Sequence, residues 1–410
     1  MLPQQAISIV KSTAPLVQAH AEELTRHFYR RMFSNNPEVA PYFNPGNQAQ
    51  GTQQRALAGA ICAYAANIDN LEVLADAVEL IAQKHASLMI KPEHYPIVGE
   101  NLLASIAEVL GDAASEEVIT AWGEAYGLLA DILTGREEQI YKENAAKHGG
   151  WTGFREFKVA KKAAESSVIT SFYLVPADDG PVPDYLPGQY LTLRLRTPDG
   201  STTMRNYSLS DKPGQGYFRI SVKRETGAEA DKPAGFVSNL LHDDIQVGDS
   251  LEIGPPCGEF ILDIDKEQRR PLVLLAAGVG TTPLLSMLQT ALDAMPNREI
   301  VFVQACLNER VQPFRKTLDA LAANHPGLTV HYRYSDPETD ATTRQGDSST
   351  GFVDAKLLAS LVPGRDADYY FCGPKPFMVS VHRILRQWGI PQDQVHLEFF
   401  GPREELEAAA

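Results

Sequence analysis

The sequence predicts three domains in series: an all-α domain, an antiparallel β-barrel and a doubly wound α/β domain. Apolar residues at helical spacing fill the chain as far as residue 140. Short alternating strands separated by turns occupy 152–265, and apolar strands alternate with helical stretches over 266–403. We expect a linker at 141–151, where Gly149 and Gly150 stop the last helix, and a tail at 404–410.

The composition is that of a globular protein, with 44% hydrophobic and 22% charged residues over 410 positions. A formal net charge of −15 disfavours nucleic acid and anionic membranes as partners, because both attract basic surfaces. We expect a cytoplasmic protein without a transmembrane segment. The N-terminus lacks a signal-peptide core, and glycine and proline interrupt the uncharged stretch 271–292. The four cysteines form no CxxC pair, which fits reduced thiols: Cys62, Cys257, Cys306 and Cys372.

One helix of the first domain carries a histidine on its apolar face. Leu74, Val78, Ile81 and His85 are spaced by four, three and four residues, and Pro92 ends the helix soon afterwards. Taken alone, a core histidine hydrogen-bonded to the backbone is a more common outcome than a metal ligand. The spacing by itself leaves both interpretations open.

Two more polar side chains occupy apolar faces of this domain. Tyr29 lies beside Phe28 on an inward face, and Glu137 continues the stripe that begins at Trp122. A core tyrosine needs only a partner for its hydroxyl, whereas a carboxylate there calls for a strong one. The stripe alone does not decide whether Glu137 is buried or marks the solvent edge.

The barrel domain is predicted from strands rich in β-branched and aromatic residues at 168–175, 189–196, 205–210 and 217–225. One of them contains Arg205, Asn206, Tyr207 and Ser208. An arginine fork suits a diphosphate, and tyrosine offers a face to a flat ring. Considered alone, an exposed strand with a salt bridge is the more common explanation.

The α/β domain has a glycine-rich turn between its first strand and first helix. Its strands are predicted at 271–278, 299–306, 329–335, 366–373 and 395–402, and its helices at 283–294, 313–323, 354–361 and 376–388. The turn, Gly278, Val279, Gly280, Thr281, Thr282 and Pro283, is typical of phosphate binding, although proline replaces the usual third glycine. A plain structural turn is the alternative.

Two further motifs end strands of this domain. Cys372-Gly373-Pro374 and 398–402 are expected at the carboxyl edge of the sheet, where ligands of open parallel sheets bind. The order of RxYS, GxGxxP, CGP and a terminal FGP resembles the ferredoxin–NADP reductase-like family over about 152–402. The resemblance implies FAD in the barrel and NADH or NADPH in the α/β domain.

The same resemblance assigns individual roles to residues of this chain. The residues implied at FAD are Tyr190, Arg205, Asn206, Tyr207, Ser208 and Ser238, with Phe399, Phe400, Gly401 and Pro402 closing over the flavin. The turn at 278–283 would hold the pyridine nucleotide. This sequence departs from many relatives at Gln304, where histidine is common, and at Phe399, where cysteine is common.

A helical domain ahead of such a reductase resembles the flavohemoglobins, over nearly the whole chain. The resemblance implies a globin domain at 1–140 that binds heme b through His85, with Tyr29 donating to iron-bound O₂. Tyr95 and Glu137 match residues that hydrogen-bond the proximal histidine. The remaining implied residues are Phe43 and Leu57 at the heme, and Gln53 and Lys84 in the catalytic set.

The implied function is that of a nitric oxide dioxygenase. NAD(P)H would reduce FAD, FAD would reduce the heme iron one electron at a time, and O₂ on ferrous heme would oxidise NO to nitrate. The alternatives are a general NAD(P)H-dependent flavin or ferric reductase and an O₂-binding or sensing globin; a sensor has no need of the attached reductase. We expect a monomer with O₂ and NO as substrates. The sequence does not decide whether NADH or NADPH is the electron donor.

Overall fold

The computed structural model describes residues 2–43, 48, 51–198, 200–227, 234–264, 270–338, 347–362 and 364–401. The chain divides into two compact units, one built mainly from residues 1–146 and one mainly from 147–401. Each unit has its own hydrophobic core.

The first unit is helical. Its described α-helices are α1 (Gln4–Ala19), α2 (Ala21–Asn35), α3 (Thr52–Ala66), α4 (Ala75–Ser87), α5 (His94–Leu110) and α6 (Glu116–Ala146). Short 3₁₀ turns at Pro37–Tyr42 and Leu71–Leu74 connect some of them. The predicted helical faces are confirmed, since Leu24, Phe28 and Met32 of α2 are buried in one core with α3, α5 and α6.

Helix α4 packs through more than one face. Its fully buried positions include the small residues Ala82, Ala86 and Ser87, which let neighbouring helices approach closely. The predicted stripe that ends at His85 is only half-buried, and Leu74 lies in the 3₁₀ turn just before the helix. The histidine therefore stands on a face that the described residues do not cover completely.

The expected linker at 141–151 begins inside a helix, because α6 continues to Ala146. Gly149 then adopts a φ of 77°, and a side chain there would collide with the carbonyl oxygen of Pro181. Glycine is therefore required after the helix has ended. The predicted tail at 404–410 lies outside the described residues.

The barrel prediction is confirmed as an antiparallel six-stranded sheet in the order β4-β3-β6-β1-β2-β5. The strands are β1 (Arg155–Ala164), β2 (Ile169–Pro176), β3 (Tyr190–Arg196), β4 (Thr202–Ser208), β5 (Phe218–Lys223) and β6 (Ser250–Ile253). Just past β4, Leu209 bridges Ile220 of β5, so the two outer strands of the sheet meet. Helix α7 (Phe236–Asp243) follows β5.

Strands β1 and β6 were not predicted, because β1 is rich in charged residues and β6 has only four residues. In strand β5 the alternation of polar and apolar residues does not separate an exposed face from a buried one. Its polar residues Arg219 and Ser221 are buried together with its apolar residues. Arg219 forms an ion pair with Asp211 at 3.3 Å and lies over the ring of Phe314 from the α/β domain. Arg219 thus contacts the next domain, whereas Ser221 hydrogen-bonds to Ser171 and Ser210 inside the barrel, each at 2.7 Å.

The α/β domain has a parallel sheet in the order β10-β9-β8-β7-β11-β12. Its strands are β7 (Leu272–Ala277), β8 (Ile300–Cys306), β9 (Leu328–Tyr334), β10 (Ser348–Thr350), β11 (Asp368–Cys372) and β12 (Val395–Glu398). Its helices are α8 (Thr281–Ala294), α9 (Arg315–Asn324), α10 (Ala355–Leu361) and α11 (Lys375–Gln387). The predicted elements are confirmed to within a few residues, except that β10 was missed and β12 ends at Glu398.

Helices cover both faces of this sheet, with α8 and α9 in one core and α10 and α11 in the other. The strand order reverses between β7 and β11, which is where open α/β sheets leave a crevice for ligands. Among the helices that the structure describes, none combines the length and the apolar composition needed to cross a bilayer.

Thiol reactivity tests the burial in both units. Iodoacetamide in mildly alkaline buffer should modify only Cys62 of the native protein, because Cys62 is half-buried and the other three cysteines are buried. Burial raises the pKa of Cys306 to about 12 and that of Cys372 well above its usual value, so their reactive thiolates are scarce. Mass spectrometry would count the adducts. Replacing Cys62 by serine should abolish labelling, and rapid labelling of Cys306 or Cys372 would contradict the fold.

Candidate functional site

Three helices of the first unit bring His85, Tyr95 and Glu137 together. Nδ1 of His85 is 2.8 Å from Oε1 of Glu137 and 3.0 Å from the hydroxyl oxygen of Tyr95. The Tyr95 hydroxyl donates to the same Oε1 at 2.5 Å. We call these three residues the proximal triad.

The position of the protons follows from these contacts. Tyr95 donates its single proton to Glu137, so Nδ1 of His85 must be the protonated ring nitrogen, and its shorter contact is with the carboxylate. Burial, followed by the hydrogen bond to Glu137, raises the pKa of Tyr95 far above its usual range, which keeps it a neutral donor. With Nδ1 protonated, Nε2 of His85 keeps its lone pair.

The environment of the triad answers the question that the sequence left open about Glu137. Its side chain is 2% exposed, so it is buried rather than at the solvent edge. Its second oxygen, Oε2, has no hydrogen-bonding partner among the described residues. Only His85 and Tyr95 therefore share the charge of the carboxylate. Globins and peroxidases hold heme iron through a proximal histidine, and a carboxylate behind the other ring nitrogen orients such a ligand and raises its basicity.

Tyr29 lies in a cluster of aromatic side chains on α2 and beyond it. Its ring centroid is 5.6 Å from that of Phe43 and 5.8 Å from that of Phe33. Burial raises the pKa of Tyr29 above its usual range, and in the described part of the chain its hydroxyl has no hydrogen-bonding partner. Tyr29 is thus a neutral, buried donor that is available to a ligand.

The other predicted residues of this domain are less strongly connected. Leu57 is half-buried in the same core, and Oε1 of Gln53 accepts a hydrogen bond from Nε2 of Gln48 at 2.8 Å. No hydrogen bond between described atoms joins Gln53 to Tyr29. Lys84 is exposed on α4. Their roles remain predictions from the resemblance.

The barrel brings the RxYS residues together with Glu225, which the sequence did not suggest. Burial raises the pKa of Tyr207, and the charge of Glu225 raises it further. Arg205 is half-buried, and the loss of solvent lowers its pKa. Asn206 accepts a hydrogen bond from Thr192 at 3.0 Å, but its buried Nδ2 has no partner among the described residues. This free donor fits a ligand that carries carbonyl oxygens, as the flavin ring does.

The N-terminus of α7 meets this group of residues. Ser238 donates to the carbonyl oxygen of Gly235 at 3.0 Å and accepts the N–H of Glu225 at 3.2 Å. A side chain on Gly235 would lie 2.7 Å from the Ser238 hydroxyl, so glycine is required. Within the described ranges no side chain caps this helix, which leaves N–H groups of its first turn for an anion such as a pyrophosphate.

The glycine turn of the α/β domain forms a 3₁₀ turn, Gly278–Gly280, that leads directly into α8. The hydroxyls of Thr281 and Thr282 donate back to the carbonyl oxygens of Gly278 and Val279, each at 2.9 Å. Among the described residues, no side chain caps α8 either. The N–H of Thr281 bonds back to Gly278 and Val279, and Pro283 has no N–H, so an anion at this turn would be favoured mainly by the N-terminal end of the α8 dipole.

Gly280 also has a packing role that the sequence did not indicate. Besides the close approach to a phosphate that the sequence predicts, a side chain here would collide with the Cys372 carbonyl oxygen and lie 2.7 Å from the Gly373 nitrogen. Gly280 thus lets the turn pack on the end of β11 across the point where the strand order reverses. The CGP motif and the glycine turn meet at one edge, as predicted.

The two departures from the family pattern lie in different surroundings. Gln304 is fully buried, and its amide donates to the Thr281 hydroxyl at 3.1 Å and to the Pro313 carbonyl oxygen at 3.0 Å. The hydrogen bond to Thr281 connects strand β8 to the glycine turn. Phe399 is half-buried after β12, and the N–H of Gly401 donates to its carbonyl oxygen. Phe400 is 52% exposed, and Pro402 lies outside the described residues.

Comparison with known proteins agrees with this division of the chain. Models of three families match it: Globin at residues 26–133, Oxidoreductase FAD-binding domain at 156–261 and Oxidoreductase NAD-binding domain at 274–383. The flavohemoprotein of Rhodopirellula baltica is 52% identical over the full length of both chains. That of Halalkalibacterium halodurans is 47% identical over 99% of this chain and 98% of its own.

The chain belongs to the flavohemoproteins. Among solved structures, it resembles the flavohemoglobin of Malassezia yamatoensis with bound FAD and heme, with a TM-score of 0.84 and 27% identity over 98% of this chain and 100% of that one. It also resembles the FAD/NAD-binding domain of nitric oxide dioxygenase from Vibrio cholerae, with a TM-score of 0.54 and 36% identity over 60% of this chain and 99% of that one. The predicted globin, FAD-binding and NAD-binding domains of this flavohemoprotein are confirmed.

A Gly280→Ala variant tests the packing of the glycine turn on β11. The added methyl group should lower the free energy of unfolding by about 1–3 kcal/mol, because it overlaps backbone atoms that cannot rotate away. It should also weaken NADH binding, since the displaced turn holds the helix N-terminus. Urea unfolding and NADH titration measure the two effects.

The matched control is Gly364→Ala in the same domain. Gly364 is exposed, and a methyl group there meets nothing within 4 Å. This change should alter stability by no more than about 0.5 kcal/mol. If the two variants were equally stable, the contact with Cys372 would not be what requires glycine at position 280.

Proposed function

We propose that this flavohemoprotein is an NAD(P)H-dependent nitric oxide dioxygenase that converts NO and O₂ into nitrate. The observation that carries the proposal is the proximal triad, in which a buried carboxylate stands directly behind a histidine with a free Nε2. The resemblance of the reductase part to the Vibrio cholerae nitric oxide dioxygenase supports it.

The described residues are suited to hold three cofactors. His85 would bind heme b iron through Nε2, Arg205 and the N-terminus of α7 would bind the FAD pyrophosphate, and the turn at 278–283 would bind NADH or NADPH. When bound, these cofactors supply hydride transfer, single-electron transfer and the oxygen chemistry of iron. The protein binds and orients them.

The triad favours oxygen activation over oxygen storage. Glu137 accepts a hydrogen bond from the Nδ1–H of His85 in a buried site, where a charge-assisted hydrogen bond is strong. The imidazole thereby gains anionic character and becomes a more basic ligand. A more basic ligand raises the electron density on iron, which favours activation of O₂ over its reversible binding. A globin that serves only as a sensor has no need of this arrangement.

Tyr29 would contribute on the ligand side. Its hydroxyl is buried, and burial keeps its pKa above the usual range, so it remains protonated at all physiological pH values. A neutral hydroxyl in an apolar surrounding donates a strong hydrogen bond to a ligand that carries partial negative charge. Tyr29 would therefore stabilise and orient O₂ for reaction with NO.

The setting of the enzyme follows from its thiols and charge. None of the four cysteines, all of which the structure describes, forms a disulfide bond, which fits a reducing compartment, and the net charge of −15 gives no reason to expect nucleic acid as a partner. We therefore extend the proposal to a cytoplasmic monomer whose partners are the small molecules O₂ and NO.

Nitric oxide consumption in air separates the proposed function from its alternatives. The holoprotein should consume NO and form nitrate while it oxidises NADH or NADPH, and the assay with each donor in turn would reveal the preferred one. A NO electrode together with nicotinamide absorbance measures both rates. Fast reduction of ferricyanide without NO consumption would indicate a general reductase, and O₂ binding without NAD(P)H oxidation would indicate a sensor.

A Glu137→Gln variant tests the role of the triad. It should slow NO turnover by about 10- to 100-fold, because a neutral amide is a weaker hydrogen-bond acceptor than a carboxylate and polarises the Nδ1–H bond of His85 less. The heme absorption band should remain. Reduction of FAD by NADH serves as the internal control and should be unchanged. Normal NO turnover in this variant would refute the proposed electron donation.

A further inference from the structure

The proximal triad joins three helices, so its geometry depends on how those helices are held. His85 belongs to α4, Tyr95 to α5 and Glu137 to α6. A charge-assisted hydrogen bond weakens steeply as its length or angle departs from the optimum. Any sliding of α4 along α6 would therefore change the donation from His85 to Glu137 directly.

Arg136, next to Glu137, ties α6 to α4. Its Nε and Nη2 donate to the two carboxylate oxygens of Glu79 at 2.7 and 3.0 Å. The amide of Gln83 donates to the same carboxylate at 2.8 Å. Glu79 stands about 9 Å before His85 along α4, at 1.5 Å per residue. A two-pronged contact resists rotation as well as separation of the two helices.

Tyr141 ties α6 to the chain just after His85. Its hydroxyl donates to the carbonyl oxygen of Ile90 at 2.5 Å. The N–H of Ile90 in turn donates to the carbonyl oxygen of His85 at 3.0 Å. Two consecutive hydrogen bonds thus connect α6 to the backbone of the histidine itself.

Tyr126 ties α6 to the third member of the triad. Its hydroxyl donates to the carbonyl oxygen of Tyr95 at 2.6 Å. The ring lies against Gly99 of α5, where a side chain would come within 2.6 Å of it. Glycine at that position allows Tyr126 to reach the backbone of Tyr95.

Two of these anchors, Tyr126 and Tyr141, share one side of α6 with Glu137. At 100° per residue, Tyr126 and Glu137 differ by about 20° around the helix and Glu137 and Tyr141 by about 40°. Arg136 precedes Glu137 and reaches sideways to α4. The helix therefore presents its carboxylate between contacts that hold both partner segments.

We propose that Tyr126, Arg136 and Tyr141 form a brace that positions the proximal triad and so tunes the electron donation from His85. We call these three residues the α6 brace. They are positioning residues, because none of them touches a reacting atom. The inference rests on the proposed role of His85 as an iron ligand, and it adds residues that neither the sequence motifs nor the family matches single out.

The contacts of the brace differ from an ordinary surface ion pair. Arg136 and Glu79 side chains are 26% and 34% exposed. The pair Lys142–Glu138, on the same helix, is 71% and 66% exposed and makes a single contact at 2.7 Å. Exposed pairs of the second kind contribute little to structure. Lys142 therefore provides a matched control for Arg136.

The test uses the full-length holoprotein with Arg136→Gln and Tyr141→Phe, and with Lys142→Gln as control. Resonance Raman of the ferrous protein measures the iron–histidine stretching frequency, and a redox titration measures the heme midpoint potential. We expect both brace variants to lower the frequency and raise the potential, and to slow NO turnover by less than Glu137→Gln does. Lys142→Gln should match the native protein in all three measurements.

The outcomes distinguish failure of the brace from failure of the triad. If Glu137→Gln shifts the frequency but Arg136→Gln and Tyr141→Phe do not, the brace is refuted, even where those variants lose thermal stability. If Glu137→Gln itself leaves the frequency unchanged, the triad is refuted and the brace with it. Should Arg136→Gln fail to fold, Tyr141→Phe, which removes one hydroxyl only, decides the matter alone.

Discussion

The hydrogen bond from Nδ1 of His85 to Oε1 of Glu137, 2.8 Å long, is the contact that determines the chemistry of the site in the helical unit. It fixes the tautomer of the imidazole, leaves Nε2 free and buries a carboxylate that only Tyr95 and His85 satisfy within the described residues. A buried carboxylate is costly unless its donors are well placed. The long helix α6 meets this requirement, since it carries the carboxylate and also holds the helices that carry both donors.

The second unit depends on close backbone contact instead. Gly280 packs on the end of β11, and Gly188 of the barrel packs on Phe260 and on Met287 of α8. Neither position has room for a side chain. Arg219 adds a buried polar contact between the barrel and the α/β domain through Asp211 and the ring of Phe314. Short distances between these two domains suit hydride transfer, which requires the donor and the acceptor to be in contact.

The sites of the two units share a physical principle. Each has polar groups that the described protein leaves without a partner: Nε2 of His85 and the Tyr29 hydroxyl in one, and Nδ2 of Asn206 with the uncapped turns of α7 and α8 in the other. Polar groups inside a protein are normally satisfied, so unpaired ones grouped beside the residues of a candidate site are available to a ligand. In both units the free group is supported by satisfied neighbours, such as Glu137 behind His85 and Gln304 beneath Thr281.

Local pattern in the sequence determined the three domain types, the bounds of most elements of the α/β domain and the positions of the glycine turn and the RxYS strand. These features depend on periodicity and turn chemistry, which are properties of short segments. The tertiary structure decided whether Glu137 is buried, what Gly280 approaches and where α6 ends. It also decided that Arg136, Tyr126 and Tyr141 surround the triad. His85 and Glu137 are 52 residues apart. Contacts between such distant segments depend on how helices pack, which periodicity within one helix does not specify.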